Sequence, residues 1–246
     1  MRLPLLPAVF IVAYCLCVPG FAEDPAPRAI AMEFSDLKQT VSHRFRETLA
    51  ILAADFPAEH DGLVARIAEL QASPLSENAR LLGVFEALKA VREAYKGKVR
   101  FAPSADQAAI MALLADFHER VFRSEGAAVC GRFSVDGAGV LFDAGLSPAY
   151  ADALDRQSAA FLRAVVDAIE NPVHHGTIGK DDWSAVTEEL LAAGASWAVV
   201  DAVAAGDPND PGLCPSLAAF FRAIAVSPSA EGERARADFV QNVTGY

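Results

Sequence analysis

Two adjacent histidines are the residues best suited to chemistry. His174 and His175 sit in a polar, glycine-containing loop, Val173 to Lys180, with Asp181 and Asp182 just beyond it. Imidazole and carboxylate are good ligands for a divalent metal, so these four form the candidate metal set. Their spacing matches none of the familiar zinc patterns, such as H-E-x-x-H. Neighbouring loop residues also seldom aim their side chains at one point. Asp181 and Asp182 have a second use as N-cap and first-turn residues of the following helix, where the macrodipole favours negative charge. A solvated loop is therefore the plainer reading, and no metal or cofactor is assigned.

The other chemical candidates are isolated. His118 and Glu119 follow Asp116, and the Asp116–Arg120 spacing predicts an i,i+4 ion pair on a wet helix face. No second histidine stands four residues from His118, and no partner for a general base is visible. His43 and His60 read as surface residues. No serine occupies G-x-S-x-G. Gly131, Gly137 and Gly139 lack the strand, the helix and the lysine of a phosphate loop. Asn242-Val243-Thr244 matches an N-glycosylation acceptor on three residues alone. No catalytic residue emerges.

Four cysteines divide into two pairs. Cys15 and Cys17 fall in an apolar N-terminal segment, whereas Cys130 and Cys214 lie far downstream. In an oxidising compartment the downstream pair is expected as a disulfide. It would close a loop of about 85 residues, worth ~4 kcal/mol in the chain-entropy model. Neither cysteine stands in C-x-x-C, so a structural bridge is preferred to a reactive thiol.

The N-terminal segment reads as a cleavable signal peptide over residues 1–22. Arg2 precedes an apolar run, and Gly20 and Ala22 supply the small residues that signal peptidase needs before Glu23. Tyr14 and Leu16, ahead of the two leader cysteines, argue against lipidation. Residues 23–28 form a flexible start. Export to a bacterial periplasm, or full secretion, follows as the expected location. No later apolar run could span a bilayer, so no membrane insertion is expected after cleavage. The chain has 32 acids against 21 bases, a formal charge of −11. Such a surface repels phosphate backbones and anionic lipids, so nucleic acid is not an expected partner.

The elements that must position these residues are helices. Phe34, Leu37, Val41, Phe45, Leu49, Leu52 and Phe56 recur at three and four, the stripe of one amphipathic helix. Pro57 begins the next. Leu81, Phe85, Leu88 and Val91 mark a third, with Gly97 placed to cap it. An extended connector, Val99 to Pro103, leads to Ser104, which with Gln107 suggests a capping box. That helix carries Ile110, Leu114, Phe117 and Val121 and has Gly126 as its stop. Residues 127–145 do not read as helix. Asp136-Gly137 is a hairpin signal, so a short β-hairpin or an ordered loop near 129–142 is expected. Ser147-Pro148 starts a further helix. Trp197 to Ala205 is apolar on most faces and predicts a buried helix. Phe220 and Phe221, being adjacent, cannot share one helix face; core packing between helices is the preferred reading of both, and a groove or interface for one of them is the alternative.

The resulting expectation is an all-α, irregular multi-helix bundle of about eight or nine helices. An N-terminal helical subdomain spans 29–126 and a C-terminal one, carrying the disulfide, spans 127–246, around one shared core. Without a catalytic constellation, the preferred function is a non-enzymatic binding or assembly protein of the cell envelope, with an envelope protein as partner. Two alternatives remain. One is a small-ligand or metal binder using the His174–Asp182 loop. The other is a hydrolase whose Asp, Glu and His groups meet only through folding.

Overall fold

The computed structural model describes residues 37–142 and 147–242. The expected signal peptide at 1–22, the N-terminal stretch 23–28, and Val243 and Thr244 of the expected glycosylation triplet fall outside them. Among the described residues the chain is all-α and contains no strand. The helices are α1 (Leu37–Arg44), α2 (Arg46–Asp55), α3 (Pro57–Ala72), α4 (Glu77–Val99), α5 (Ser104–Asp136), α6 (Pro148–Glu170), α7 (Lys180–Ala192), α8 (Trp197–Ala205), α9 (Leu213–Val226) and α10 (Ala230–Asn242). A 3₁₀ turn, Ala138–Phe142, follows α5.

One apolar core runs from Val41 to Val240 and draws on both sides of Gly126. The long helix α5 lies at its centre, with Ile110, Met111, Leu114, Phe117 and Val121 buried along one stripe. It packs against α6 and α9, while α6 also contacts α2 and α4. Phe221 of α9 meets His118 of α5, with ring centroids 5.3 Å apart. Phe220 meets Phe239 of α10 at 5.0 Å. Helix α9 is thus covered on two sides, and both phenylalanines are buried. The preferred reading, core packing, holds for both, and neither faces a groove. Arg92 is also buried. Its Nη1–H donates to Ser158 Oγ at 2.7 Å, and its guanidinium lies over the Phe85 ring. Desolvation lowers its pKa to about 10, which still leaves it charged at neutral pH.

Several helix starts follow local chemistry. Ser76 Oγ accepts from the Ala79 amide, and Ser147 Oγ from that of Tyr150, ahead of Pro148 in the first turn of α6. Ser229 Oγ accepts from the Gly232 amide at the head of α10.

Elsewhere tertiary contacts override the local signal. The expected first helix is broken at Phe45, because the Asp155 carboxylate of α6 accepts from the amides of Glu47 (3.0 Å) and Thr48 (2.9 Å). Those amides would otherwise bond one turn back, so the break adds a helix to the expected number. Helix α4 runs through Gly97 to Val99, and the chain then turns tightly, with Phe101 N–H donating to Lys98 O, instead of extending. The Ser104–Gln107 capping box is not formed. Ser104 Oγ accepts from Arg236 Nη2 at 2.6 Å, and Gln107 Nε2 donates to Arg100 O. Arg236 also donates to the carbonyls of Ile224 and Ser227, which closes the C-terminal end of α9.

The hairpin or loop near 129–142 is replaced by helix. Gly126, at φ 80°, kinks α5, and the chain resumes as helix to Asp136. Gly137, at φ 81°, ends that helix, so Asp136-Gly137 is a helix terminus and not a hairpin turn. The 127–136 segment brings Cys130 to disulfide distance from Cys214 at the start of α9, with Cα atoms 5.8 Å apart. Next to it, a Cβ on Gly131 would collide with the Pro208 carbonyl oxygen, so the loop before α9 packs directly on α5.

Candidate functional site

Three of the four metal candidates, His174, His175 and Asp182, are occupied with other partners. The His174 ring stands edge-on to Phe101, centroids 5.2 Å apart. The His175 side chain is only 2% exposed, its Nε2–H donates to Ala102 O at 2.8 Å, and its Nδ1 lies 4.0 Å from Glu233 Oε2. Asp182 accepts the Gly179 amide and a two-pronged contact from Arg234, at 3.1 and 2.7 Å. Arg234 and the Gly179 amide hold the Asp182 carboxyl below the ordinary carboxylate range. Asp181 is exposed in the first turn of α7. These contacts make the loop a clasp between the α4–α5 turn and α10. Among the described residues, no three His, Cys, Asp or Glu side chains gather where they could hold a metal.

The remaining histidines are dispersed. His118 is fully buried instead of lying on a wet face. Asp116 pairs with Arg222 of α9 at 2.9 Å and not with Arg120. His60 lies beside Asp61 on α3. His43 lines a polar hollow of about 390 Å³ with Arg46 and Asp155, and the Asp155 carboxylate there is already engaged by α2. One pair of carboxyls does meet. Burial, and then the neighbouring Asp167, raise the Asp106 pKa above its ordinary value. Neither Asp106 nor Asp167 lines the groove described next.

The most distinctive surface is an apolar groove at the junction of α7, α8 and α9. Two adjoining hollows, about 340 and 540 Å³, share Leu190, Ala193, Ala223 and Val226 and so form one groove. Its bend is built by the end of α7. Gly194 adopts φ 96°, its amide donates to Leu191 O, and the Ala195 amide donates to Leu190 O. That is a Schellman ending, for which glycine is the natural residue. It turns the chain so that Ser196, just ahead of α8, and Val199 of α8 supply another part of the lining.

Helix α8 departs from expectation. Its sequence is apolar apart from Asp201, yet Ala202 is its one buried residue, and Trp197 is 63% exposed. Val226, which lines the groove, is 77% exposed. Apolar periodicity predicts a buried helix here, but α8 packs mainly on α9 and leaves its other faces open. The composition signals that this helix seeks apolar contact. It does not say whether the contact lies within the chain.

The two charged side chains that line the groove are engaged within the chain. Glu189 accepts from the Ser227 hydroxyl. Arg222 is clamped by Glu119 and Asp116. The clamp holds the Glu119 carboxyl below its ordinary range and the Arg222 guanidinium above its own. No protein-family model, curated protein or solved structure matches the chain.

Proposed function

We propose that this chain is an exported, non-enzymatic binding or assembly protein of the bacterial cell envelope, and that its working face is the α7–α8–α9 groove. The observation that carries this reading is the exposure of Val226 in a groove also lined by Leu190, Ala193 and Ala223, with the exposed Trp197 next in the chain to the lining residue Ser196. A contiguous apolar surface of this kind is costly to leave in water and commonly marks a site of association. The leader-like N-terminus and the paired Cys130 and Cys214 support export.

Site-specific cross-linking in intact cells tests the proposal. A photoreactive residue at Val226 should trap one dominant envelope protein, identified by mass spectrometry. The same residue at Ile169, exposed on α6 and outside the groove, should not. Equal adducts from both positions, or none from Val226, would remove the groove as the working face.

A further inference from the structure

We infer that the groove receives a cationic amphipathic helix from a partner protein; this rests on the reading of the groove as the working face. Shape supplies half of the argument. The walls carry small side chains, Ala193, Ala219 and Ala223, which let a helix backbone approach closely. Val226 offers a larger exposed apolar side chain to the occupant, and the exposed Trp197 follows the lining residue Ser196 in the chain. An amphipathic helix with one apolar stripe is the element that fits such a surface.

Charge supplies the other half. From Asp181 to Phe221 the chain runs 41 residues with seven carboxylates and no Lys, Arg or His. That stretch includes α7 after its first residue, Lys180, all of α8 and most of α9. Glu188 and Asp201 are exposed within it. The one basic side chain lining the groove, Arg222, is held by both Asp116 and Glu119, while Glu189 adds a further carboxylate. The groove and its immediate partners thus carry three carboxylates against one guanidinium. A helix with lysine or arginine flanking its apolar stripe complements this field. A second copy of the chain would bring like-charged rims together, and an anionic membrane would be repelled.

The test uses two synthetic helical peptides with the same leucine face, one with a lysine polar face and the other with glutamate. The protein carries Trp183→Phe, which preserves the aromatic contact with Phe239 and leaves Trp197 as the fluorescent reporter. The lysine peptide should shift Trp197 emission to the blue, saturably, and bind at least about tenfold more tightly than the glutamate peptide at low salt. Salt should narrow that margin, and so should Glu188→Lys with Asp201→Lys, two exposed changes whose folding is checked by circular dichroism. Equal binding of both peptides, or indifference to the double substitution, would overturn the cationic assignment and leave the groove as an apolar dock. If neither peptide binds while Val226 still captures its partner in cells, the assignment falls and the proposed function stands. If capture fails as well, both fall. A concentration-dependent dimer dispersed by Val226→Asp would overturn the assignment in favour of self-association.

Discussion

His118 lies one helical turn beyond Leu114, whose carbonyl accepts its Nδ1–H at 2.8 Å. Its ring packs between Phe133 and Phe221, and burial pushes its pKa down to about 4 from 6.5. The histidine is therefore neutral in the fold at pH 7. Between pH 6.5 and about 4 the unfolded chain binds the extra proton and the folded chain does not, so stability falls as pH falls through that window. The full shift corresponds to roughly 3 kcal/mol. Urea unfolding followed across the window should show this loss in the native protein, whereas His118→Gln should respond less steeply. Equal pH slopes for the two proteins would mean that His118 does not titrate as its burial requires. The neighbouring Phe117 is buried as well. Two consecutive buried residues on one helix need cover on two sides, and α9 provides the cover over His118.

The break between α1 and α2 depends on a residue 107 positions away in the chain. Asp155 does the work of an N-cap from another helix, accepting two amides at the start of α2, while Thr48 Oγ1 returns a bond to the Asp155 carbonyl at 3.1 Å. Asp155→Ala should cost about 1–3 kcal/mol, because it leaves two amide donors without their acceptor near the core. Hydrogen exchange should report the loss first at Glu47 and Thr48. Asp155→Asn keeps one acceptor oxygen and should cost less. If both amides exchange as slowly in Asp155→Ala as in the native protein, Asp155 is not what ends α1. Such a cap leaves no mark in the local sequence. Ser147-Pro148 does leave one, because donor and acceptor lie three residues apart.

At the scale of the molecule, Cys130 and Cys214 join the kinked half of α5 to the start of α9, across 84 residues of chain. The same helix α9 forms one wall of the groove, so the bridge helps hold the proposed working face in place. Replacing both cysteines by serine should lower stability by ~4 kcal/mol while preserving helical circular dichroism. Unchanged stability, together with two titratable thiols in the native protein, would show the bridge to be unformed. The charge of −11 belongs to the same scale.

Helix class, most helix starts and the proximity of the two downstream cysteines were legible because they depend on periodicity, side-chain caps a few residues away and cysteine arithmetic. The legible part of the candidate site was limited to the apolar run from Trp197 to Ala205. Tertiary structure decided the rest. It took the Ser104–Gln107 pair away from capping, since Arg236 and the Arg100 carbonyl make competing hydrogen bonds. It kept residues 127–136 helical, since glycine at 126 absorbs the kink and the segment then packs on α9. It separated His174, His175, Asp181 and Asp182, since adjacent backbone positions point their side chains to different neighbours. It also left α8 half in water. An apolar pattern records that a helix favours burial, but only the arrangement of all the other helices determines whether a surface inside the chain remains to cover it.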